Sequence, residues 1–168
     1  MEFEEYVAAR GRALERYAFV LTGDRQRSQD LVQIALLKAY RRWRQVARVE
    51  HPDAYVRRIL TTSYLDWRRR RSSTEQTTGD LPEPSAEASG GGDPADQVVL
   101  RDEVLRALAT LTPHQRAVLV LRHYEGYDDV AIGAVLGCSE VTVRSHATRG
   151  AQRLRAVLDP SSQPEAPR

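Results

Sequence analysis

Residues 72–97 constrain the fold of this chain more than any other stretch. They read SSTEQTTGDLPEPSAEASGGGDPADQ, with six acidic residues, no basic residue and almost no apolar side chain. Such a segment buries too little apolar surface to offset the entropy that it would lose on ordering. The sequence therefore predicts two small domains, residues 1–71 and 98–158, which are joined by a flexible acidic linker and followed by a disordered tail over 159–168.

Charge is distributed unevenly over these segments. The formal net charge of the chain is only +2, but residues 1–71 carry +7, the linker −6 and residues 98–158 +2. Two basic blocks of this kind are typical of nucleic-acid-binding proteins. Lys38 is the only lysine among 25 basic residues. Arginine binds phosphates and guanine edges with two parallel hydrogen bonds, but a GC-rich genome would explain the same bias equally well.

Several classes of protein are excluded by composition. Cys138 is the only cysteine, so the sequence has neither a disulfide framework nor a cysteine-based metal site. No apolar run is long enough for a transmembrane helix, and the acidic, amphipathic N-terminus is unlike a secretory signal. The histidines are scattered and form no catalytic or metal-ligating group, so we do not predict an enzyme. We expect a cytoplasmic protein that does not bind membranes.

Outside the linker and tail, the sequence indicates only helices. Apolar residues recur at helical spacing and no segment shows sustained alternation with a period of two, so the predicted fold class is all-α. In the first domain we predict helices over 3–22, from Asp24 as a cap to about Trp43, and from Pro52 to about Arg71. The second of these has apolar residues on more than one side, which predicts a place inside a small helical bundle.

The C-terminal domain is predicted to contain four helices. The first covers about 96–110, and Thr112 caps the second, which begins at Pro113. The third begins at Asp128 or Asp129, and the fourth begins at Ser139.

The last two helices have the spacing of a helix-turn-helix. Gly133 is a small residue where the helices would cross, Gly137 lies in the turn, and Val143 is an aliphatic anchor early in the second helix. The outward face of the last helix carries hydroxyl, amide and guanidinium groups, which can donate hydrogen bonds to phosphates and base edges in a major groove. That face comprises Val141, Thr142, Ser145, Thr148, Arg149 and Gln152, with Arg144 on a flank.

Residues 52–71, PDAYVRRILTTSYLDWRRRR, place aromatic residues between arginines. Such rings can stack on single-stranded bases while guanidinium groups hold the phosphates. Ile59 and Trp67 have core spacing, whereas Thr61 and Tyr64 are left for solvent or a partner. Core rings and a solvated arginine run at a helix C-terminus would explain the same pattern without any ligand.

Three stretches together resemble one known family. They are YAFVLTGDRQRSQDLVQIALLKAYRRW (17–43), HPDAYVRRI with LDWRRRR (51–71), and TLTPHQRAVLVLRHYEGYDDVAIGAVLGCSEVTVRSHATRGAQRLR (110–155). Their order resembles that of extracytoplasmic-function (ECF) sigma factors of the sigma-70 superfamily, most of all the SigE-type branch. The resemblance implies an alternative sigma factor that binds bacterial core RNA polymerase and directs promoter recognition, DNA melting and transcription initiation.

The resemblance also implies roles for single residues. Residues of the second helix would dock on the polymerase β′ clamp, namely Asp30, Leu31, Gln33 and Lys38. The loop before Pro52 and the helix after it would capture and melt the −10 element through His51, Asp53, Arg57, Arg58, Thr62, Trp67 and Arg69. The last helix would read the −35 element as duplex through Thr142, Arg144, Ser145, Thr148 and Arg149.

The implied partners are core RNA polymerase, contacted at its β′ clamp and β flap, and promoter DNA in duplex and single-stranded form. An anti-sigma factor is a plausible further partner, and neither a cofactor nor a metal is implied. The main alternative is a stand-alone helix-turn-helix repressor or activator, which would bind duplex DNA without polymerase. A pure interaction adaptor would leave the arginine-rich helix and the hairpin unexplained.

Overall fold

A computed structural model describes residues 1–78, 95–159 and 161, and within them the regular secondary structure is helical, as predicted. The helices there are α1 (Phe3–Thr22), α2 (Arg25–Tyr40), α3 (Trp43–Val46), α4 (Pro52–Thr78), α5 (Ala95–Ala109), α6 (Pro113–His123), α7 (Asp129–Leu136) and α8 (Glu140–Leu158). The chain divides into two compact units, Met1–Glu87 and Ala88–Arg168. Among the described helices, none is both long and apolar enough to cross a membrane.

Local capping chemistry sets the helix boundaries of the first unit. α1 ends at Gly23, which adopts the left-handed conformation (φ 68°) that glycine tolerates. The Asp24 carboxylate accepts a 2.8 Å hydrogen bond from the backbone N–H of Arg27 and caps α2. Pro52 is the first residue of α4, where its missing N–H costs no helical hydrogen bond. All three boundaries confirm the prediction.

The core of the first unit lies between α1, α2 and α4. Leu14, Leu60 and Tyr64 are fully buried there. Thr61 is also fully buried, and its hydroxyl shares a 2.6 Å hydrogen bond with that of Tyr17. The prediction that Thr61 and Tyr64 face solvent or a partner is therefore wrong, because α4 packs against two helices and buries more than its apolar stripe.

The short helix α3 occupies part of the predicted loop. α2 ends at Tyr40 rather than near Trp43, and Trp43 begins α3. The Trp43 ring packs against Phe3 and Tyr6 of α1, with centroid separations of 5.2 and 4.9 Å. Its Nε1 also donates a 3.2 Å hydrogen bond to the carbonyl oxygen of Met1. These contacts join residues about 40 positions apart in the sequence, so the local sequence pattern did not predict them.

α4 is longer than predicted. It continues past Arg71 through Thr78, and α5 begins at Ala95, so both ends of the predicted flexible linker are helical. No glycine or proline precedes Gly79 in this part of the chain, so nothing in the sequence stops the helix earlier. The other linker residues, 79–94, and most of the predicted tail lie outside the described residues.

In the second unit, α8 packs against α5, α6 and α7. Thr112 caps α6 in a capping box with Gln115, and Asp128 caps α7, as predicted. Gly137 takes a left-handed conformation (φ 68°) in the turn between α7 and α8. At Gly133 the chain passes so closely that a Cβ would lie 2.7 Å from the carbonyl oxygen of Cys138. The second unit thus contains the predicted helix-turn-helix.

Candidate nucleic-acid interface

The outward face of α8 is defined by what its inward face buries. Val143, Ala147 and Gly150 are buried within the second unit. At about 3.6 residues per turn, the centre of the opposite face is a stripe, here called the recognition stripe. It consists of Val141, Ser145, Thr148 and Gln152. Three of these residues are exposed and Ser145 is partly exposed, so the stripe is accessible along about three helical turns.

The remaining predicted −35 residues lie beside this stripe. Arg144 and Arg149 are exposed and flank it on opposite sides. Thr142 is exposed at the edge of the face, and its hydroxyl is 3.0 Å from Oγ of the capping Ser139. The structure therefore brings all five predicted residues to one side of α8, where Thr142 already has an internal partner.

Arg144 lies between two carboxylates. Its guanidinium group is 3.6 Å from Glu140, one turn earlier on α8, and 3.8 Å from Asp129 on α7. Asp129 also accepts a hydrogen bond from Arg122 of α6. Arg144 is thus half-exposed but paired, and its use on DNA requires exchange of carboxylates for phosphates. The contact with Glu140 has the i,i+4 spacing that a helix predicts, whereas the contact with Asp129 depends on how α7 packs against α8.

His146 lies about 100° around α8 from Ser145 of the recognition stripe, and its ring stacks on that of His114 of α6. The two rings have centroids 5.5 Å apart and are inclined by 22°. Burial lowers the pKa of His146 below its ordinary value, and the nearby His114 and Arg149 lower that pKa further. The neutral imidazole is therefore favoured in the folded protein.

In the first unit, three of the predicted −10 residues share one side of α4. Arg58, Thr62 and Arg69 fall within one stripe at helical spacing, and both arginines are exposed. The Thr62 hydroxyl donates a 2.9 Å hydrogen bond to the carbonyl oxygen of Arg58. Arg69 lies 3.1 Å from Asp66, one turn earlier. His51 is exposed in the segment before α4.

Asp53 and Arg57 belong instead to an ion-pair cluster at the start of α4. Oδ1 of Asp53 accepts a 2.8 Å hydrogen bond from the hydroxyl of Tyr6. Oδ2 of Asp53 lies 3.1 Å from both Nε of Arg10 and a terminal nitrogen of Arg57. Only 12% of the Arg57 side chain is exposed. The cluster ties α4 to α1, and sequence reasoning did not identify Tyr6 or Arg10.

Trp67 lies about half a helical turn away from the Arg58 stripe. Its ring is contacted by Arg27 of α2, whose guanidinium carbon is 5.0 Å from the ring centroid, and by Arg68 and Arg71 at 5.9 and 5.7 Å. It also lines a cavity of about 170 Å³ between α2 and α4, with Arg27, Asp30, Leu31, Ile34, Lys38, Ser63 and Arg70. Trp67 therefore does not share a surface with the other predicted −10 residues.

The outer side of α2 is more apolar than a solvated helix requires. Ile34, Leu37 and Tyr40 are 43%, 55% and 57% exposed, so the expectation of a helix inside the bundle is wrong. Of the predicted docking residues, Gln33 and Lys38 are exposed, whereas Leu31 is buried. Nζ of Lys38 donates a 3.2 Å hydrogen bond to Ser63, and Asp30 accepts one of 3.1 Å from Gln26.

Comparison with known proteins identifies the family. Residues 6–74 match the family described as Sigma-70 region 2, and residues 101–154 match the one described as Sigma-70, region 4. The chain is 41% identical over 159 residues to the RNA polymerase sigma-E factor of Streptomyces avermitilis. The matched residues make up 95% of this chain and 86% of that relative. This chain is a sigma factor of the sigma-70 family. The sigma factor is also 31% identical over 161 residues to the ECF RNA polymerase sigma factor SigE of Mycolicibacterium smegmatis, covering 93% of this chain and 61% of that one.

Solved structures of similar proteins share the fold of this sigma factor. The sigma factor RpoE of Bartonella quintana, solved with the anti-sigma factor NepR, superposes with a TM-score of 0.75 at 25% identity, covering 93% of this chain and 96% of that one. CnrH, solved with the cytosolic domain of CnrY, has a TM-score of 0.62 at 25% identity over 95% of this chain and 89% of that one. The resemblance to ECF sigma factors is confirmed, and this family consists of DNA-binding initiation factors rather than enzymes.

Proposed function

We propose that this sigma factor acts in the cytoplasm, where its first unit docks on core RNA polymerase and engages the −10 element while its second unit reads the −35 element. The observation that carries this proposal is the exposed recognition stripe of α8, which is flanked by Arg144 and Arg149 within a capped helix-turn-helix. A helix of this kind enters the major groove, where its side chains reach base edges.

At the −35 element, the two flanking arginines and the central hydroxyls have different tasks. Arg149 can bind a phosphate or a guanine edge directly. Arg144 does so by leaving Glu140 and Asp129, so that an internal ion pair is exchanged for one with DNA. Ser145 and Thr148 face base edges as donors or acceptors, and they carry no net charge that would favour non-specific binding.

At the −10 element, His51 and the stripe of Arg58, Thr62 and Arg69 would contact the melted strand. The arginines neutralise successive phosphates, which orients the strand along α4. Asp53 and Arg57 support this surface from behind, because their cluster with Tyr6 fixes the start of α4 against α1.

Docking on polymerase would use the exposed side of α2. Ile34, Leu37 and Tyr40 form an apolar face, and Lys38 and Gln33 lie close by on the same helix. An amphipathic helix with an uncovered apolar face is a common element for recognition by another helical surface. The β′ clamp would cover this face, and the β flap would contact the second unit. An anti-sigma factor is a further proposed partner, because the similar sigma factor RpoE is solved with one.

Run-off transcription on a genomic fragment library, with core polymerase present or absent, tests the proposal. Discrete transcripts that require both proteins would support a sigma factor. Tight duplex binding by the chain alone, without polymerase-dependent transcripts, would favour the stand-alone regulator. Changing Arg144 and Arg149 to Glu should abolish promoter-specific initiation but leave polymerase binding intact, and an equal loss of both would contradict the division of roles.

The docking face is tested with a matched pair of substitutions on α2. Leu37→Ala removes an exposed side chain and should weaken polymerase binding without changing thermal unfolding. Leu31→Ala removes a buried side chain and should lower the stability of the first unit by about 2–4 kcal/mol. If Leu37→Ala leaves polymerase binding unchanged, the proposed docking face is wrong.

A further inference from the structure

The recognition stripe of α8 contains one apolar residue. Val141 is 68% exposed, and it is the only valine, leucine or isoleucine of that face. A single exposed valine on a protein surface needs no explanation by itself. The position of Val141 is more informative, since it lies opposite the buried face and one turn before Ser145, at the end of α8 that contacts base edges in helix-turn-helix proteins.

The polar neighbours of Val141 are occupied within the protein. Glu140 lies 3.6 Å from Arg144. The hydroxyl of Thr142 is 3.0 Å from Oγ of Ser139, and that same Oγ accepts a 3.2 Å hydrogen bond from the backbone N–H of Thr142. The polar side chains of this first turn are therefore already paired within the protein. The exposed γ-methyl groups of Val141 offer an apolar surface beside them.

A major groove offers one apolar group to such a side chain. Thymine carries a C5-methyl group on the major-groove edge, and small apolar side chains discriminate thymine by contact with it. Arginines at positions 144, 149 and 153 surround the face with positive charge and would hold the phosphates on either side. The partner that fits this combination is a thymine within a duplex.

We propose that Val141 is a specificity-determining residue of this sigma factor and contacts the C5-methyl group of a thymine in the −35 element. The inference rests on the proposed function, in which α8 reads duplex DNA. It adds an apolar contact to the polar and charged residues that the sequence indicated. Val141 would then contribute base selectivity rather than affinity, because it forms no ion pair with the backbone.

Replacing thymine by deoxyuridine tests this contact, because the replacement removes only the methyl group. The preferred −35 sequence is first selected by transcription with the full chain and core polymerase, from templates randomised at those positions. Each thymine is then replaced singly, and the concentration of holoenzyme for half-maximal promoter binding is measured. We expect about a fourfold loss of affinity at one thymine, which corresponds to one buried methyl group.

Variants assign that loss to Val141. Val141→Ser replaces the two γ-methyl groups by one hydroxyl and should bind thymine and deoxyuridine templates equally, whereas Val141→Ile should keep the preference. Val157→Ala removes a valine that is 40% exposed near the other end of α8, and it should behave as the unmodified protein. The inference is overturned if the selected element contains no thymine, or if Val141→Ser responds to deoxyuridine as the unmodified protein does.

Arg149→Glu separates this inference from the function on which it rests. If Arg149→Glu abolishes promoter binding while no deoxyuridine has an effect, α8 reads the DNA and only the role of Val141 is wrong. If Arg149→Glu leaves promoter binding unchanged, α8 does not read the −35 element and the proposed function itself fails.

Discussion

The hydroxyl of Tyr6 donates a 2.8 Å hydrogen bond to Asp53, which lies 47 positions later in the chain. Burial and the bond to Asp53 raise the pKa of Tyr6, so the hydroxyl remains protonated throughout the physiological range. The same carboxylate also lies 3.1 Å from Arg10 and Arg57. A helix that is expected to hold melted DNA is thus anchored to α1 at its first turn.

Tyr6→Phe should lower the free energy of unfolding of the first unit by about 2 kcal/mol, because it removes a hydrogen bond to a charged group. Urea unfolding followed by tryptophan fluorescence measures this loss, since both tryptophans of the chain, Trp43 and Trp67, lie in the first unit. Tyr40→Phe is the control, because Tyr40 is 57% exposed and should change stability by less than about 0.5 kcal/mol. Equal effects of the two substitutions would argue against the anchoring role of Asp53.

Gly133→Ala should destabilise the second unit although alanine favours helices. Its Cβ would lie 2.7 Å from the carbonyl oxygen of Cys138, and a backbone atom cannot move aside as a side chain can. We expect a loss of about 1–3 kcal/mol, measured by hydrogen exchange of amides in α7 and α8. Gly11→Ala is the matched opposite, because its Cβ would approach only a methyl group of Val7 at 4.0 Å. Gly11→Ala should stabilise α1 by up to about 1 kcal/mol. A gain of stability in both variants would contradict the close approach of Gly133 to the backbone of Cys138.

Glu140→Gln should make DNA binding less selective. The substitution frees Arg144 from a carboxylate 3.6 Å away and removes a negative charge from the DNA-facing end of α8. We expect binding of random duplex DNA to become stronger by about two- to threefold at low salt. The slope of log affinity against log salt concentration should become steeper by up to about one, which corresponds to one additional phosphate contact. Titrations at several salt concentrations measure both quantities. Glu103→Gln on α5 removes the same charge elsewhere and should leave the salt dependence of binding unchanged. Identical salt dependences for the unmodified protein and both variants would exclude the exchange of Arg144 between Glu140 and DNA.

The second unit should lose stability as the pH falls below the ordinary pKa of histidine. The pKa of His146 is lowered from its ordinary 6.5 by burial, His114 and Arg149. Between 6.5 and this lower value, the unfolded chain binds more protons at His146 than the folded chain, so protonation favours unfolding. The stability is therefore complete above 6.5 and declines as the pH falls towards the folded-state pKa.

Thermal unfolding of the second unit between about pH 8 and about pH 5 measures this dependence. His146→Gln should flatten the profile, because glutamine does not titrate. His123→Gln changes an exposed histidine of α6 and should leave the profile as it is. An unchanged profile in His146→Gln would show that other groups cause the pH dependence.

Local sequence chemistry determined much of this protein. Asp24, Thr112 and Asp128 cap their helices because a side-chain oxygen can reach a free backbone N–H nearby. The turn before α8 requires a positive φ, which glycine tolerates at position 137. The spacing of Gly133, Gly137 and Val143 indicated the helix-turn-helix. The family also followed from three motifs and their order along the chain. Interactions within about four residues are enough for the caps, whereas the helix-turn-helix and the family required longer patterns along the chain.

Tertiary structure alone decided which side chains have partners and which remain accessible. Trp43 forms its own helix because it packs on α1, and Asp53 is held by residues that are distant in the sequence. The apolar residues of α2 divide into buried Leu31 and exposed Leu37 only when α1 and α4 cover one side of the helix. Burial and ion pairing depend on every helix packed around a residue, and the pattern of one helix does not contain that information.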